Sequence, residues 1–277
     1  GYTLAEEALL FAEIGTHAAP GPFLPTVLAA RLAAMVGATE LAAQILSGTQ
    51  LVALAEPHGD YTAVAGATVS GTFRVTDFGG ADLVLVLVGS SAAIVAAADL
   101  VAEPLASLDR LVPTAIGTVS QVPALCYQDD ASGLQLRATV LIAAELAGIA
   151  TATAQQSTQY AKDREQFGTP IGSFQAVKHR CADMAVRADA ANSLVRYSAI
   201  AVLDGLPDAA FHAHAARVVA TNAAIENSQI NVQNHGGIGF TYEHTAHRFV
   251  TRAQVRSRTA GDLRSHLGGL LEQPAAL

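Results

Sequence analysis

The chain has 277 residues, of which 51% are hydrophobic and 14% are charged, and its net charge is −8. This composition excludes a mainly disordered chain, and the negative charge excludes a general nucleic-acid binder. The 57 alanines and the absence of Trp favour long, closely packed helices, because Ala has the highest intrinsic helix propensity. Two cysteines are too few for a disulfide framework or a Cys-rich metal site, and they fit a reducing cytoplasm.

The charges are unevenly distributed along the chain. Residues 1–159 hold 4 basic and 14 acidic side chains, a net of −10, whereas residues 160–266 hold 12 basic and 9 acidic ones, a net of +3. A site for a phosphorylated ligand is therefore predicted in the second part. The most apolar stretch, 83–98, contains Gly89 and two serines and is shorter than the roughly 20 residues that span a bilayer. We therefore predict no membrane span, and the N-terminus has no signal-peptide pattern.

The first 46 residues have the pattern of helices. Thr3 is a candidate N-cap for a helix from Leu4, and the Pro20-Gly21-Pro22 break precedes a second helix over 26–36. From residue 48 onward Gly, Thr and Val become frequent, and five strands are predicted: 51–55, 61–69, 72–75, 83–88 and 115–119. Because no helices separate them, we expect a small antiparallel barrel or sandwich, with the run 83–88 buried on both faces.

The chain returns to helix near Ser132. Three long helices are predicted over 134–161, 173–203 and 208–234, with a turn at Gly168-Thr169-Pro170 between the first two. The run Gly236-Gly237-Ile238-Gly239 then interrupts the pattern, and two shorter helices follow. Long helices joined by short loops form antiparallel bundles.

The predicted fold class is therefore α+β and mostly α. Its three parts are a partial N-terminal helical domain over 1–47, a small antiparallel β domain over 48–128 and a C-terminal antiparallel helical bundle over 129–277. We find no internal repeat.

One segment after the first long helix carries groups suited to an anion. It holds Arg164, Gln166, Gln175 and Lys178, and a helix is predicted to begin near Ser173. An Arg side chain offers a fork of donors for phosphate, and a helix N-terminus carries partial positive charge. A solvated turn with ordinary surface charges would have the same composition, so these residues alone leave both interpretations open.

Two motifs in the C-terminal half carry a family resemblance. The first is Tyr160-Ala-Lys-Asp-Arg164-Glu-Gln-Phe167-Gly, followed by Ile171 and by Phe174-Gln175. The second is Gln233-Asn-His-Gly236-Gly237-Ile-Gly-Phe-Thr-Tyr-Glu, followed by Arg248. Both resemble signature segments of the flavin-dependent acyl-CoA dehydrogenase family. The resemblance covers residues 48–272, and residues 3–46 resemble the last helices of that family's N-terminal domain.

The resemblance implies FAD as the cofactor. In the family, the residues that match Arg164, Phe167 and Gln175 contact the adenosine pyrophosphate of an FAD held mainly by a neighbouring subunit. Those that match Gln233, Gly236 and Gly237 approach the same cofactor, and Gln166 is an adjacent donor in the first motif. Glycine suits such a place, because backbone approaches a phosphate closely only where no side chain intervenes.

The family reaction needs a carboxylate as general base near the α-carbon of an acyl-CoA. The resemblance implies two positions for this base, and here they hold Ala138 and Ala260, the latter followed by Gly261. Glu145, two turns beyond Ala138, is the remaining alternative. The family's Thr-Glu-Pro-x-x-Gly-Ser-Asp loop near the flavin ring is shortened here to Ala-Glu-Pro-His-Gly-Asp over 55–60. We therefore predict no catalytic residue, and no metal site, in this chain.

These departures predict a subunit that depends on a partner. The resemblance to bacterial acyl-CoA dehydrogenases of steroid side chains implies a heterotetramer in which a related chain supplies the carboxylate. It also implies a bulky acyl-CoA substrate, an electron-transfer flavoprotein as acceptor and a cytoplasmic location. Two alternatives stay open: a self-sufficient homo-oligomeric dehydrogenase that uses Glu145 or another carboxylate, and a non-catalytic acyl-CoA-binding or structural protein that has lost its flavin.

Overall fold

The computed structural model describes residues 2–273, except for the side chains of residues 60, 61 and 65. These residues belong to two compact units. One unit is Pro20–Ala138, and the other joins the segment before Pro20 to the chain from Thr139 onward. The predicted boundaries of three domains, at residues 47 and 128, stay a prediction.

The N-terminal residues form helices, as predicted. Helix α1 (Leu4–Thr16) begins after Thr3, whose hydroxyl accepts a hydrogen bond from the Glu6 amide while the Glu6 carboxylate accepts one from the Thr3 amide. This reciprocal pair is a capping box, which satisfies two backbone donors at the helix start. Helix α2 (Phe23–Met35) begins directly after Pro22, three residues earlier than predicted, and α3 (Thr39–Leu46) follows.

A seven-stranded sheet dominates the unit Pro20–Ala138. Its strands are β1 (Val52–Ala65), β2 (Thr68–Thr76), β3 (Leu83–Val88), β4 (Ser91–Ala96), β5 (Val101–Leu105), β6 (Thr114–Pro123) and β7 (Cys126–Gln128). They are ordered β5-β6-β2-β1-β3-β4-β7. Strand β3 is buried from Leu83 to Leu87, which confirms the prediction that the apolar run is covered on both faces. One face forms a buried core that includes Phe73, and α2 contacts β1, β3 and β4.

Two features of the sheet differ from the sequence-based expectation. The predicted strand 61–69 is interrupted at Gly66 and Ala67, which have φ values of +56° and +61° and form the tight turn between β1 and β2. Strands β1 and β3 pair in parallel, whereas the other described pairs are antiparallel. Neither feature changes the predicted class, a mostly helical chain with a small sheet.

The second unit contains the predicted bundle. Its long helices are α4 (Ser132–Asp163), which belongs to this unit from Thr139, α5 (Gln175–Leu203) and α6 (Ala209–His235). Two shorter helices follow, α7 (Ala246–Arg256) and α8 (Leu263–Glu272). Buried Asn227 of α6 joins the three long helices, because its amide donates to the carbonyls of Ala150 in α4 and Met184 in α5 at 3.1 and 2.9 Å.

Helix α4 is long and apolar enough to resemble a membrane span, and most of its apolar stretch is buried inside the structure. It is also the helix on which α1 packs. Gly15 of α1 and Gly148 of α4 allow the two backbones to touch, since an added methyl group would overlap the carbonyl of Glu145 or of Ala12, respectively. The Thr16 hydroxyl donates across this contact to the Gly148 carbonyl. Helix α1 is thus an integral part of the bundle unit.

Candidate functional site

The first motif folds as a small hairpin at the end of α4. Strand β8 (Glu165–Gln166) pairs with β9 (Thr169–Pro170), and Phe167 and Gly168 form the two-residue turn. Their φ values of +56° and +76° are those of the tight hairpin turns that require φ above zero at both central positions. Such a backbone is strained for an aromatic residue, and the Phe167 side chain is 93% exposed. The turn therefore presents a large apolar ring to the outside at an energetic cost.

The hairpin leads directly into α5. Phe174 precedes the helix and makes an edge-to-face contact with Phe167, with ring centroids 6.2 Å apart. Ser173 was expected near the helix start, but it lies in a 3-10 turn, where its hydroxyl donates to the Pro170 carbonyl at 2.7 Å. The helix begins at Gln175, and the Val177 and Lys178 amides already donate to the Phe174 carbonyl, so the free amides at the start of α5 are those of Gln175 and Ala176.

The candidate donors of this motif lie at the surface. The side chains of Arg164, Gln166 and Gln175 are all exposed. The backbone of Arg164 is held between the two elements: its amide donates to the Tyr160 carbonyl, and its carbonyl accepts from the Ile171 amide, both at 2.8 Å. An anchored backbone with an exposed guanidinium is the arrangement that a phosphate-binding Arg needs.

The second motif ends α6. Gly236 has a φ of +64° and terminates the helix, and the following residues form a 3-10 turn over Gly236–Phe240. A methyl group built on Gly237 would meet nothing within 4 Å, so the backbone there is open to the outside. Gln233 is also exposed. The glycines therefore leave room for close approach of a ligand, as the resemblance implies.

Both motifs lie at the same end of the bundle. The rings of Tyr160 in α4 and His235 in α6 stack with centroids 4.3 Å apart. One turn deeper, the Ser157 hydroxyl donates to the Asn231 side chain at 2.8 Å. Within the described part of the chain, however, no hydrogen bond or ring contact joins a predicted site residue of one motif to one of the other. The predicted site residues of the two motifs thus lie at the same end of the bundle, but the contacts between the motifs are made by residues beside them.

The residues of this surface fit the adenosine pyrophosphate of FAD. They offer a guanidinium, three side-chain amides and the amides at the start of α5, which are donors suited to pyrophosphate oxygens. The exposed aromatic ring at Phe167 and the open backbone at Gly237 suit an adenosine group and a close phosphate, respectively. Among the side chains that the structure describes, we find no cluster of three or more metal-ligating groups.

The two positions that the resemblance implies for the catalytic base hold alanines, one buried in a helix and the other in a turn. Ala138 is buried in α4. Ala260 has a φ of +56° and lies with Gly261 in the turn between α7 and α8. Buried Arg217 donates to the carbonyls of Thr259 and Gly261 at 2.7 and 3.2 Å, so the turn is held from within the bundle.

The carboxylate that follows this turn already has a structural role. Asp262 caps α8 by accepting a hydrogen bond from the Ser265 amide at 2.8 Å, and that bond lowers the pKa of its carboxyl group. An N-cap of this kind holds the carboxylate against its own helix, so Asp262 does not replace the missing base.

Glu145 does not suit the role of a catalytic base. Its side chain is buried in the bundle, and its Oε1 lies 3.0 Å from Nε of Arg256 and 3.7 Å from a guanidinium nitrogen of Arg252. Arg252 also donates to the Ala19 carbonyl at the end of α1 at 2.8 Å. The carboxylate thus lies between two buried guanidinium groups, and it is committed to the packing of α1, α4 and α7.

The segment 55–60, expected to be the shortened ring-side loop, continues strand β1. Glu56 pairs with Arg74 of β2 at 3.0 Å, and the register of the two strands shifts between Pro57 and Thr62. A bulged strand with an ion-paired glutamate stands where the family has its loop.

The sequence reasoning missed the residues that connect the two motifs. Tyr160, His235 and His244 form a stack of three rings, and Arg217 supports the Ala260–Gly261 turn. Tyr160 and His235 do lie inside the two motifs, so their position was a usable signal, but their distance in the chain gave no sign of contact. Arg217 carried no signal, since a single Arg in a helix is ordinarily exposed.

Comparison with known proteins places the chain in a family. The pattern of the acyl-CoA dehydrogenase C-terminal domain matches residues 136–270. The acyl-CoA dehydrogenase IpdE2 of Mycobacterium tuberculosis is 33% identical over 261 residues, which cover 91% of this chain and 72% of that protein. This chain belongs to the acyl-CoA dehydrogenase family. The family's FadE34 from the same organism is 35% identical over 240 residues, 84% of this chain but 33% of FadE34.

Solved structures of the family have the same fold. The ChsE4–ChsE5 complex of Mycobacterium tuberculosis is similar with a TM-score of 0.87 and 26% identity over 99% of this chain and 82% of that one. A variant of the Tcur3481–Tcur3483 steroid ACAD gives a TM-score of 0.84 and 27% identity over 97% and 80% of the two chains. The chain thus spans about a third of one curated relative and about four fifths of its structural neighbours.

Proposed function

We propose that this chain is the subunit without catalytic glutamate in an FAD-dependent acyl-CoA dehydrogenase, which introduces an α,β double bond into an acyl-CoA. One observation carries the proposal: the donor-rich hairpin and the open glycine turn share one end of the bundle, whereas both base positions are alanine. The half of the site that reaches a neighbour's cofactor is present, and the half that performs proton abstraction is absent.

Each residue at the bundle end has a task in this proposal. Arg164, Gln166 and Gln175 donate hydrogen bonds to the pyrophosphate, and Phe167 packs against the adenosine. Gln233 donates from the end of α6, and Gly236 and Gly237 let the backbone approach the same group. When bound, FAD supplies the acceptor for the hydride that leaves the β-carbon of the substrate.

In this proposal, the catalytic carboxylate comes from another chain. We propose a related acyl-CoA dehydrogenase subunit as the partner, in a heterotetramer, because the similar solved structures include the ChsE4–ChsE5 complex and the Tcur3481–Tcur3483 steroid ACAD. The latter name supports a bulky, steroid-derived acyl-CoA as the substrate class. An electron-transfer flavoprotein as electron acceptor and a cytoplasmic location belong to the same proposal.

The test compares two exposed arginines of this chain. The chain is co-expressed with a related acyl-CoA dehydrogenase subunit with which it forms a complex, and the flavin absorbance per protein and the native mass of the complex are measured. Arg164→Ala should lower the flavin content, whereas Arg196→Ala, an exposed Arg elsewhere on α5, should leave it unchanged. Equal flavin content in both variants would contradict the proposed site.

The same preparation separates the other interpretations of the sequence. A chain that is yellow and oxidises an acyl-CoA when purified alone would be a self-sufficient dehydrogenase with a carboxylate other than buried Glu145. A colourless complex would favour a non-catalytic acyl-CoA-binding or structural protein. Flavin that appears only in the mixed complex is the result expected here.

A further inference from the structure

Three aromatic rings form a continuous stack at the end of the bundle, which we call the ring column: Tyr160, His235 and His244. The His235 ring lies between the other two, with centroid distances of 4.3 Å to each and interplanar angles of 30° and 40°. His235 is buried, and Tyr160 and His244 are half-buried. The column therefore joins α4, the last residue of α6 and the segment before α7.

The hydrogen bonds of the column define its protonation pattern. The carbonyl of Asn231 accepts from Nδ1 of His235 at 2.7 Å, so this nitrogen carries a proton. Nδ1 of His244 accepts from the Ala246 amide at 3.2 Å, so this nitrogen carries none. Burial lowers the pKa of His235, which favours the neutral ring. The two stacked imidazoles thereby avoid a repulsion between like charges.

Two members of the column, Tyr160 and His235, are each attached to one of the two motifs. The Tyr160 carbonyl accepts the amide of Arg164, which sets the start of the hairpin. His235 is followed directly by Gly236, where α6 ends. The ring contact between Tyr160 and His235 therefore links the helical turn before the Arg164 hairpin with the end of α6 at the glycine turn.

We propose that His235, held between Tyr160 and His244, is a positioning residue that keeps the Arg164 hairpin and the Gly236–Gly237 turn at the separation needed to bind one cofactor together. The inference rests on the proposed function. Deeper contacts, such as that of Ser157 with Asn231 and that of Asn234 with Cys181, hold the helices together below the column. Loss of the column should therefore loosen the two motifs without unfolding the bundle.

The first experiment measures coupling between the motifs by hydrogen exchange on the chain alone. Tyr160→Leu should speed amide exchange in 236–240, and His235→Leu should speed it in 164–168, although each substitution lies in the other motif. Tyr197→Leu is the matched control, because Tyr197 makes an edge-to-face contact with His212, 4.6 Å between centroids, away from both motifs. Tyr197→Leu should leave the amide exchange rates of both segments, 164–168 and 236–240, unchanged. Exchange that rises only around the substituted residue would overturn the inference.

The second experiment measures FAD affinity in the co-expressed complex. His235→Leu and Tyr160→Leu should each weaken FAD binding by about threefold to tenfold, the range expected for loss of one aromatic pair. His235→Phe and Tyr160→Phe, which keep a ring, should restore most of the affinity. Equal loss in the Leu and Phe variants would contradict a stacking role.

The Arg164→Ala variant separates failure of this inference from failure of the proposed function. If Arg164→Ala weakens FAD binding but the column variants do not, the site stands and the column is structural. If none of the three changes FAD binding, the bundle end does not bind the cofactor, and both ideas are wrong.

Discussion

Gly15 in α1 lies directly against the backbone carbonyl of Glu145 in α4, and no side chain fits between them. The Gly15→Ala substitution should therefore push the helices apart and lower the free energy of unfolding by about 2 kcal/mol or more. Urea denaturation of the purified chain measures this loss. The control is Gly268→Ala in α8, where the added methyl group meets nothing within 4 Å. That variant should be neutral or slightly more stable, because Ala favours helix. Equal stability of the two variants would contradict the close contact.

Glu145 provides a test that separates a structural carboxylate from a catalytic one. Because Glu145→Gln leaves Arg252 and Arg256 buried without their shared carboxylate, we expect a loss of about 3–5 kcal/mol in the free energy of unfolding. Glu226→Gln removes a pair with Arg187 at the surface, 2.8 Å in length, and should cost less than about 1 kcal/mol. A Glu145→Gln chain of unchanged stability that loses only turnover would instead identify Glu145 as the base.

The pair of buried His266 and half-buried His214 predicts sensitivity to acid. The Ala260 carbonyl accepts from Nε2 of His266 at 3.0 Å, so Nδ1 of His266 accepts from Nδ1 of His214, also at 3.0 Å. Burial, and then the positive charge of Arg217, lower the pKa of His266 to about 4. The folded state therefore binds the proton less readily than the unfolded chain, in which the pKa of His is about 6.5.

The sign of the effect follows from this depressed pKa. The contribution of His266 to stability is complete above pH 6.5 and is lost as the pH falls towards 4, by about 3 kcal/mol in total. Urea denaturation at pH 7, 5 and 4 measures how steeply the free energy of unfolding falls with pH. His266→Gln should flatten this slope, whereas His17→Gln, at an exposed His, should not. A slope that survives His266→Gln would assign the acid sensitivity to other groups.

Gly237 tests whether the backbone at the end of α6 meets the cofactor. A methyl group there has open space on this chain, so Gly237→Ala should change the free energy of unfolding by less than about 0.5 kcal/mol. In the complex, the same methyl group would occupy the place of the bound group, and FAD affinity should fall about tenfold. Gly133→Ala, also in open space, is the matched control for both measurements. Full FAD affinity in Gly237→Ala would show that the turn does not contact the cofactor.

The helical part of the fold was predictable because its signals are local. The capping box at Thr3, the breakers near Pro20 and the long apolar pattern of α4 lie within a few residues of the features that they define. The parallel pairing of β1 with β3 was not predictable in this way, since it depends on which strands meet in the folded sheet. Gly15 is a weak helix former by itself, and only the contact with α4 explains it.

In the candidate site, too, local sequence motifs could be recognised, whereas features that depend on the folded chain could not. The motif residues were identified by resemblance, and their exposure is compatible with the predicted role, but that role stays a prediction. The positive φ of Phe167 could not be inferred, because an aromatic residue ordinarily avoids that conformation. The burial of Glu145 between two arginines depends on helices that are more than 100 residues apart in the chain, so its role was equally hidden.

The docking of α1 has a consequence for synthesis of the chain on the ribosome. Thr16 contacts Gly148, 132 residues later, and Ala19 contacts Arg252, 233 residues later. The apolar face of α1, with Phe11 and Ile14, is thus synthesised well before the helices α4 and α7 that make these contacts. Contacts so distant in sequence form slowly, because a long loop must close before they give any stabilisation. The nascent chain therefore carries an incompletely covered apolar helix until these later helices follow, and we expect it to require shielding by chaperones until α7 is complete.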